Sequence, residues 1–450
     1  MNPFLLRRER LIRLFVLGLF VLGIAVCVIA NISLLRALGF GLVCFSLHAR
    51  STGIAWPEIL RLLFAGAGRV FNLLAIFLLI GMLTGVWRIS GTIPLLIDKA
   101  LSFIEPDFFF LWCFLLCAGL STLLGTSFGT VSTLGVICML MARAAGIDEV
   151  LAGGAILSGV YVGDRCSPMS SSAALVCAIT GTELYANLRA MFRSGLIPLL
   201  LTSAGYALLS LLAPAHNVDA SSASLLREEF RSGVLVLLPA LSVIVLGVLR
   251  VEVKLSMLVS ILLAAAAGVF IQHVPPEALL TALVSGYAAP RPELGFLSGG
   301  GIASMSRVIG IVMLSSSYSL LIQRSRLLDD FSRIICVLSQ RLGPYPATAV
   351  TSVCTAALAC NQTLAILLTQ QLCAPVQTDR QSLALYLEDS VVLISALLPW
   401  NIAFSIVALT LQQGESIIPF ALYLWLLPLC QCVKSFAARR RTLAKNPRRA

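Results

Sequence analysis

Three acidic side chains sit inside otherwise apolar sequence. Asp164 lies in SGVYVGDRCSPMSSSA, residues 158–173, and Glu388 and Asp389 are neighbours in LEDSVVLISALLPWN, residues 387–401. An ionised carboxylate at the centre of a bilayer costs about 2.5–3.5 kcal/mol on insertion scales, so it normally faces a protein interior or a wet cavity. There it holds either a proton or a cation, because burial favours the neutral acid and a bound cation favours the ionised form. Competition of the two at one carboxyl, reached from one side at a time, exchanges them across a membrane. Asp164 and Asp389 are the leading candidates to bind a transient Na+, with Glu388 behind them because it can also belong to a helix end. The structural alternative is an interior ion pair or a helix cap, with Arg165 beside Asp164 as the neutralising partner.

Hydroxyls and small residues flank these acids. GTSFGT, residues 125–130, offers Ser127 and Thr130, and Gly125 and Gly129 allow a helix to break. The segment after Gly163 adds Ser167, Pro168 and Ser170. Freed carbonyls together with such oxygens suit a hard cation such as sodium. Equally, Ser and Thr in membrane helices bond their own backbone, and small residues mark helix packing. Asn361, Gln362, Gln370, Gln371 and Asn401 extend the polar set, as lining or as glue between helices, and Pro399, Trp400 and Asn401 interrupt the apolar run at residues 383–411. His48 reads as interfacial. There is no phosphate loop and no HExxH pattern, so the expectation is transport driven by gradients, with no cofactor beyond the coupling ions Na+ and H+, and no enzyme chemistry.

What must position these residues is a bilayer-embedded bundle. Of the 450 residues 58% are hydrophobic and 12% charged, about half the charged share of a soluble protein. Apolar runs recur from residue 11 to 429, which predicts an all-α polytopic membrane protein with about 10 to 12 transmembrane helices. The net charge of +11 does not indicate nucleic acid here, because the basic residues collect at the ends of apolar runs, the positive-inside pattern. Arg7, Arg8, Arg10 and Arg13 precede the first run, and Lys434, Arg439, Arg448 and Arg449 lie at or after the last. Both termini are therefore expected in the cytoplasm and the chain in the cell membrane, the bacterial inner membrane if it is prokaryotic. The 13 Cys are scattered through apolar runs and read as small buried hydrophobes.

The chain divides into a first transmembrane repeat at 1–213, a polar connector at 214–232, a second repeat at 233–434 and a basic tail at 435–450. PEILRLLFAGAG from Pro57 aligns with PEALLTALVSGY from Pro276, Gly125 falls against Asn361, and Asp164 falls near Asp389. Matching connectors differ in basic charge, so the halves prefer opposite faces. Two inverted repeats with broken helices meeting at the midplane is the expected architecture.

At these residues the chain resembles the NhaC family of sodium/proton antiporters, within the larger ion-transporter superfamily. GTSFGT is similar to the family's GTSWGT-like segment. Residues 158–173 resemble its SGAYFGDKLSPLSDTT-like segment, carrying Gly163, Asp164, Ser167, Pro168 and Ser170, with Arg165 in the basic position. Residues 387–401 resemble its EDSGT and PWN elements through Glu388, Asp389, Pro399, Trp400 and Asn401. The resemblance implies exchange of sodium for protons. Two departures stand out: Ser171 occupies the place of the family's second Asp, and Val391-Val392 replace Gly-Thr. A sodium- or proton-coupled carrier of amino acids or organic acids is the alternative within the same class. Partners on either reading are the bilayer and a small cation or organic solute, with a homo-oligomer open. An intramembrane aspartyl protease, in which Asp164 and Asp389 form the dyad, is the reading from another class; Tyr161 stands where its GxGD pattern needs Gly.

Overall fold

The computed structural model describes residues 3–30, 33–68, 70–103, 108–213, 220–231, 233–249, 251–325, 327, 331–359, 361–375, 377 and 379–445. Asn217 and Asp219 of the connector, and Arg448 and Arg449 of the tail, lie outside them. All regular elements among the described residues are helices. The first half runs α1 (Pro3–Ile29), α2 (Leu34–Ser51), α3 (Trp56–Gly68), α4 (Phe71–Ile89), α5 (Thr92–Phe103), α6 (Phe109–Leu124), α7 (Ser127–Thr130), α8 (Val136–Ala144), α9 (Glu149–Cys166), α10 (Ser171–Thr180) and α11 (Leu184–Leu212). After α12 (Ala220–Glu229) come α13 (Leu238–Val248), α14 (Val253–Phe270), α15 (Pro276–Val284), α16 (Ser306–Ser317), α17 (Ser319–Arg324) and α18 (Phe331–Leu342). The chain closes with α19 (Pro344–Ala359), α20 (Gln362–Cys373), α21 (Arg380–Asp389), α22 (Val391–Ile394), α23 (Ile402–Thr410) and α24 (Leu422–Lys445).

Among the described residues three helical stretches are individually long and apolar enough to cross a membrane: Ser127–Ala144, Leu184–Leu212 and Ile302–Ile322. Two bent pairs, Leu74–Ile89 with Thr92–Asp98 at 65° and Arg380–Leu397 with Ile402–Thr410 at 52°, raise the number to five. Several of the other apolar runs read as spans form shorter helices.

The breaks follow from local chemistry. At the end of α6, Gly125 takes the left-handed conformation (φ 67°) and its N–H bonds back to Ser121. A Cβ there would sit 2.5 Å from the Met169 carbonyl carbon, so this position needs glycine twice over. Thr126 then caps α7 by accepting from the Gly129 N–H, and a π turn at Val131–Gly135 carries the helix into α8. In the second half Asn361 caps α20 by accepting from the Leu364 N–H at 3.3 Å. The later pair of breaks is made by proline, which pushes the preceding residue out of the helical region. Ser167 before Pro168 and Leu398 before Pro399 are both extended.

These caps set a register between the halves. Asp148 starts α9 and Asp379 starts α21, each accepting two backbone N–H bonds; Ser170 caps α10 and Asn401 caps α23. The offsets agree: 379 − 148 = 231, 399 − 168 = 231 and 401 − 170 = 231. The caps of α7 and α20 differ by 361 − 126 = 235 instead, so the spacing of 231 belongs to the later pair of breaks alone.

Helix α9 is buried along most of its length, as expected of a central helix apolar all round. It meets α6 through small residues. A Cβ on Gly159 would lie 2.6 Å from the Phe114 carbonyl oxygen, and one on Gly163 would lie 2.0 Å from the Ser121 carbonyl carbon. The Ser121 hydroxyl donates to the Val160 carbonyl at 2.5 Å across this contact. Outward-facing Leu196, Leu200, Leu208 and Leu211 of α11 are exposed, an apolar outer face that a water-soluble monomer rarely shows.

Candidate ion-binding site

The last carbonyls of a helix have no partner in the helix itself. At the end of α9 the Asp164 carbonyl receives the Ser170 hydroxyl and, at 2.7 Å, the Ser172 hydroxyl. Ser170 also accepts from the Ala173 N–H at 3.2 Å, and Ser167 accepts from the Met169 N–H at 3.1 Å. The serine run is thus spent on the break that holds Asp164, not on a cluster of free oxygens. Thr130 likewise donates to the Thr126 carbonyl of its own helix at 2.9 Å. Gly129 supplies the backbone N–H for the Thr126 cap and the carbonyl that receives Ser132 and Thr133.

The Asp164 side chain is 5% exposed and opens on a cavity of about 410 Å³. Its Oδ2 accepts from Gln362 Nε2 at 3.0 Å, and the same amide donates to the Val392 carbonyl at 3.0 Å. The first turns of α7 (Thr126, Ser127, Phe128) and of α20 (Asn361, Gln362, Thr363) line the cavity from the two halves. Ser171 lines it too, so the position at which the chain lacks the family's second acid faces the same space as Asp164. Ser316 and Ser319 complete the polar wall. Sequence reasoning overlooked both, although the hydroxyl run Ser315, Ser316, Ser317, Ser319 inside an apolar stretch was the available signal.

Asp389 is placed differently. Its Oδ1 receives Arg165 Nε at 2.9 Å, Arg165 Nη2 and the Ser194 hydroxyl at 3.3 Å, while its Oδ2 receives Gln431 Nε2 at 2.8 Å. The two side chains are 0% and 1% exposed. Arg165 also donates to the Met191 carbonyl, the Ser194 hydroxyl, Cys166 Sγ and the Tyr423 hydroxyl. Arg165 therefore neutralises Asp389 in the other half, not its neighbour Asp164. An aspartyl-protease dyad needs two carboxyls about 3 Å apart sharing a proton; these two have separate partners.

Glu388 is 0% exposed, and neither carboxyl oxygen has a hydrogen-bond partner among the described residues. His48, expected at the interface, is buried at 5% exposure. Trp400 Nε1 and Asn401 Nδ2 donate to the Ala357 and Ala356 carbonyls at 2.9 and 3.0 Å. They satisfy the end of α19 and, with Pro399, act as architecture for the break before α23.

With this geometry in hand, the comparisons with known proteins are specific. A family model described as the Na+/H+ antiporter family matches residues 159–432, more than half of the chain. The chain belongs to that family. It is similar to the Na+/H+ antiporter NhaC of Alkalihalophilus pseudofirmus, 28% identical over 401 residues that cover 86% of each protein. It is also similar to the NhaC antiporter of Bacillus subtilis, 28% identical over 88% of this chain and 91% of that one. The malate-2H+/Na+-lactate antiporter of Bacillus subtilis matches at 25% identity over 78% of this chain and 77% of its own length. Family membership makes this helical chain a membrane antiporter, and the span matched by the family model contains the buried acids Asp164, Glu388 and Asp389.

Proposed function

We propose that the chain exchanges Na+ for H+ across the cell membrane at its buried carboxyls, with Asp164 as the one that accepts the cation. The observation that carries this reading is the placement of Asp164 on a cavity lined by the first turns of α7 and α20, with hydroxyl and amide groups around it. A sodium ion entering there meets one carboxylate and neutral oxygens, the donor set a hard monovalent cation favours. The membrane frame we attach to this is about 10 to 12 crossings, two inverted repeats and cytoplasmic termini.

Reconstituted in proteoliposomes with an outward proton gradient, the protein is expected to accumulate sodium, and Asp164→Asn to reduce uptake to that of protein-free vesicles while keeping a monodisperse elution profile. Uptake by Asp164→Asn at the wild-type rate overturns the reading.

A second reading has an observation of its own. The N-terminal turns of α7 and α20 both border the cavity, and helix N-termini attract anionic groups. With Ser171 in place of an acid, the cavity suits a carboxylate-bearing solute taken together with a cation. Thermal stabilisation by a dicarboxylate or an amino acid, but not by sodium alone, selects this reading over simple exchange.

A further inference from the structure

Asp164, Asp389 and Glu388 are buried carboxyls with three different surroundings. Asp164 opens on the cavity with an amide donor, and Asp389 is fully engaged by Arg165, Ser194 and Gln431. Glu388 has no hydrogen-bond partner among the described residues and is 0% exposed.

The charged groups near enough to act on Glu388 are Arg165 and Asp164 on α9 and Asp389 beside it on α21. Arg165 offers it no hydrogen bond, because Nε, Nη1 and Nη2 already serve Asp389, Cys166, Tyr423, Met191 and Ser194. The other two charged neighbours are acids. A buried carboxylate without a partner is among the costliest groups a protein can hold, whereas the neutral acid is tolerated.

Resting on the exchange reading above, we infer that Glu388 is the proton-carrying group of the transport cycle, distinct from the cation-accepting carboxyl of Asp164. In the state described here it holds its proton. When the bundle rearranges so that water reaches the side chain, the Oε–H bond breaks, the proton passes to water, and the electron pair stays on the carboxylate. Arg165 then balances the charge. Environments that drive neighbouring carboxyls toward opposite protonation states are the usual sign of divided roles.

The test uses the full chain reconstituted in phosphatidylethanolamine/phosphatidylglycerol vesicles, with radioactive sodium as the probe. Two fluxes are measured: sodium-for-sodium exchange at equal pH, and sodium uptake driven by an outward proton gradient. Glu388→Gln, a mimic of the neutral acid, is expected to keep the first and to lose the second to the level of protein-free vesicles. Glu388→Asp is expected to keep proton-driven uptake with a displaced pH profile.

Proton-driven uptake by Glu388→Gln overturns the inference. Loss of sodium-for-sodium exchange in a monodisperse Glu388→Gln protein also overturns it, by making the group a cation ligand. Where Glu388→Gln does not fold, the pH profile of Glu388→Asp decides: a profile superimposable on wild type overturns the assignment. Absence of both fluxes in the wild type removes the exchange reading itself, whereas a wild type with both fluxes and an identical Glu388→Gln removes only the role of Glu388.

Discussion

Replacing Arg165 by Met removes a guanidinium that lies in the interior at 0% exposure and leaves Asp389, at 1%, as an uncompensated charge. Breaking a buried pair from one side typically costs about 3–5 kcal/mol, because the surviving charge keeps its desolvation penalty and loses its partner. Ser194 and Gln431 still donate to Asp389, which places Arg165→Met toward the lower end of that range. Asp389→Asn strands the guanidinium and is expected to cost a similar amount. The double variant Arg165→Met/Asp389→Asn has no stranded charge and loses only hydrogen bonds, at about 1 kcal/mol each. A double-mutant cycle should therefore show favourable coupling, within the range of about 0.5–3 kcal/mol for residues in one network. The assay is loss of helical circular dichroism in mixed micelles against the mole fraction of sodium dodecyl sulfate. Additive effects, or an Arg165→Met protein as stable as wild type, refute the argument that this pair holds the two halves together.

Gly163→Ala should fail to give a stable protein, since its Cβ would press 2.0 Å from backbone of α6 and exceed the usual overpacking cost of about 1–3 kcal/mol. Gly119→Ala, on α6 with nothing within 4 Å of the added carbon, should elute and melt as wild type. Asp379→Ala removes the cap of α21 and should cost about 0.5–2 kcal/mol, with Asp379→Ser retaining most of it. The Ser382 hydroxyl and N–H hold the Asp379 carboxyl below the usual aspartate range. Its contribution is therefore complete above that range and disappears as pH falls through the lowered value, so melting curves of wild type and Asp379→Ala should converge in acid. Ser171→Asp adds a second carboxylate to the cavity, and sodium should then stabilise the protein at lower concentration; an unchanged sodium titration counts against Ser171 facing the ion.

Much of this arrangement could be read from residue types. The chemistry of GTSFGT, of the NQT at residues 361–363 and of Pro399-Trp400-Asn401 marked three interruptions, because glycine, cap residues and proline act through local backbone geometry, whereas the 65° bend between Ile89 and Thr92 was not read. Partner choice was a different matter. Asp164 and Arg165 are adjacent on a helix, and successive residues are about 100° apart around its axis, so they do not face one another. Helical geometry alone thus argues against pairing these neighbours, whereas the partnership of Arg165 with Asp389, 224 residues away, depends on how α9 packs against α21. Ser316 and Ser319 reached the cavity by the same kind of long-range packing. Glu388 shows the reverse: its neighbour Asp389 is fully bonded, and one step along α21 separates a satisfied carboxyl from an isolated one.

A single peptide bond joins the residue that looks into the cavity to the residue that grips the opposite half. Any roll of α9 that turns Asp164 toward a different exit also swings the Arg165 guanidinium and tugs on α21 through Asp389. The stretch is built like a bell crank, with one arm on the cavity and the other on Asp389. On the exchange reading proposed above, loosening the grip and redirecting the ion become one movement.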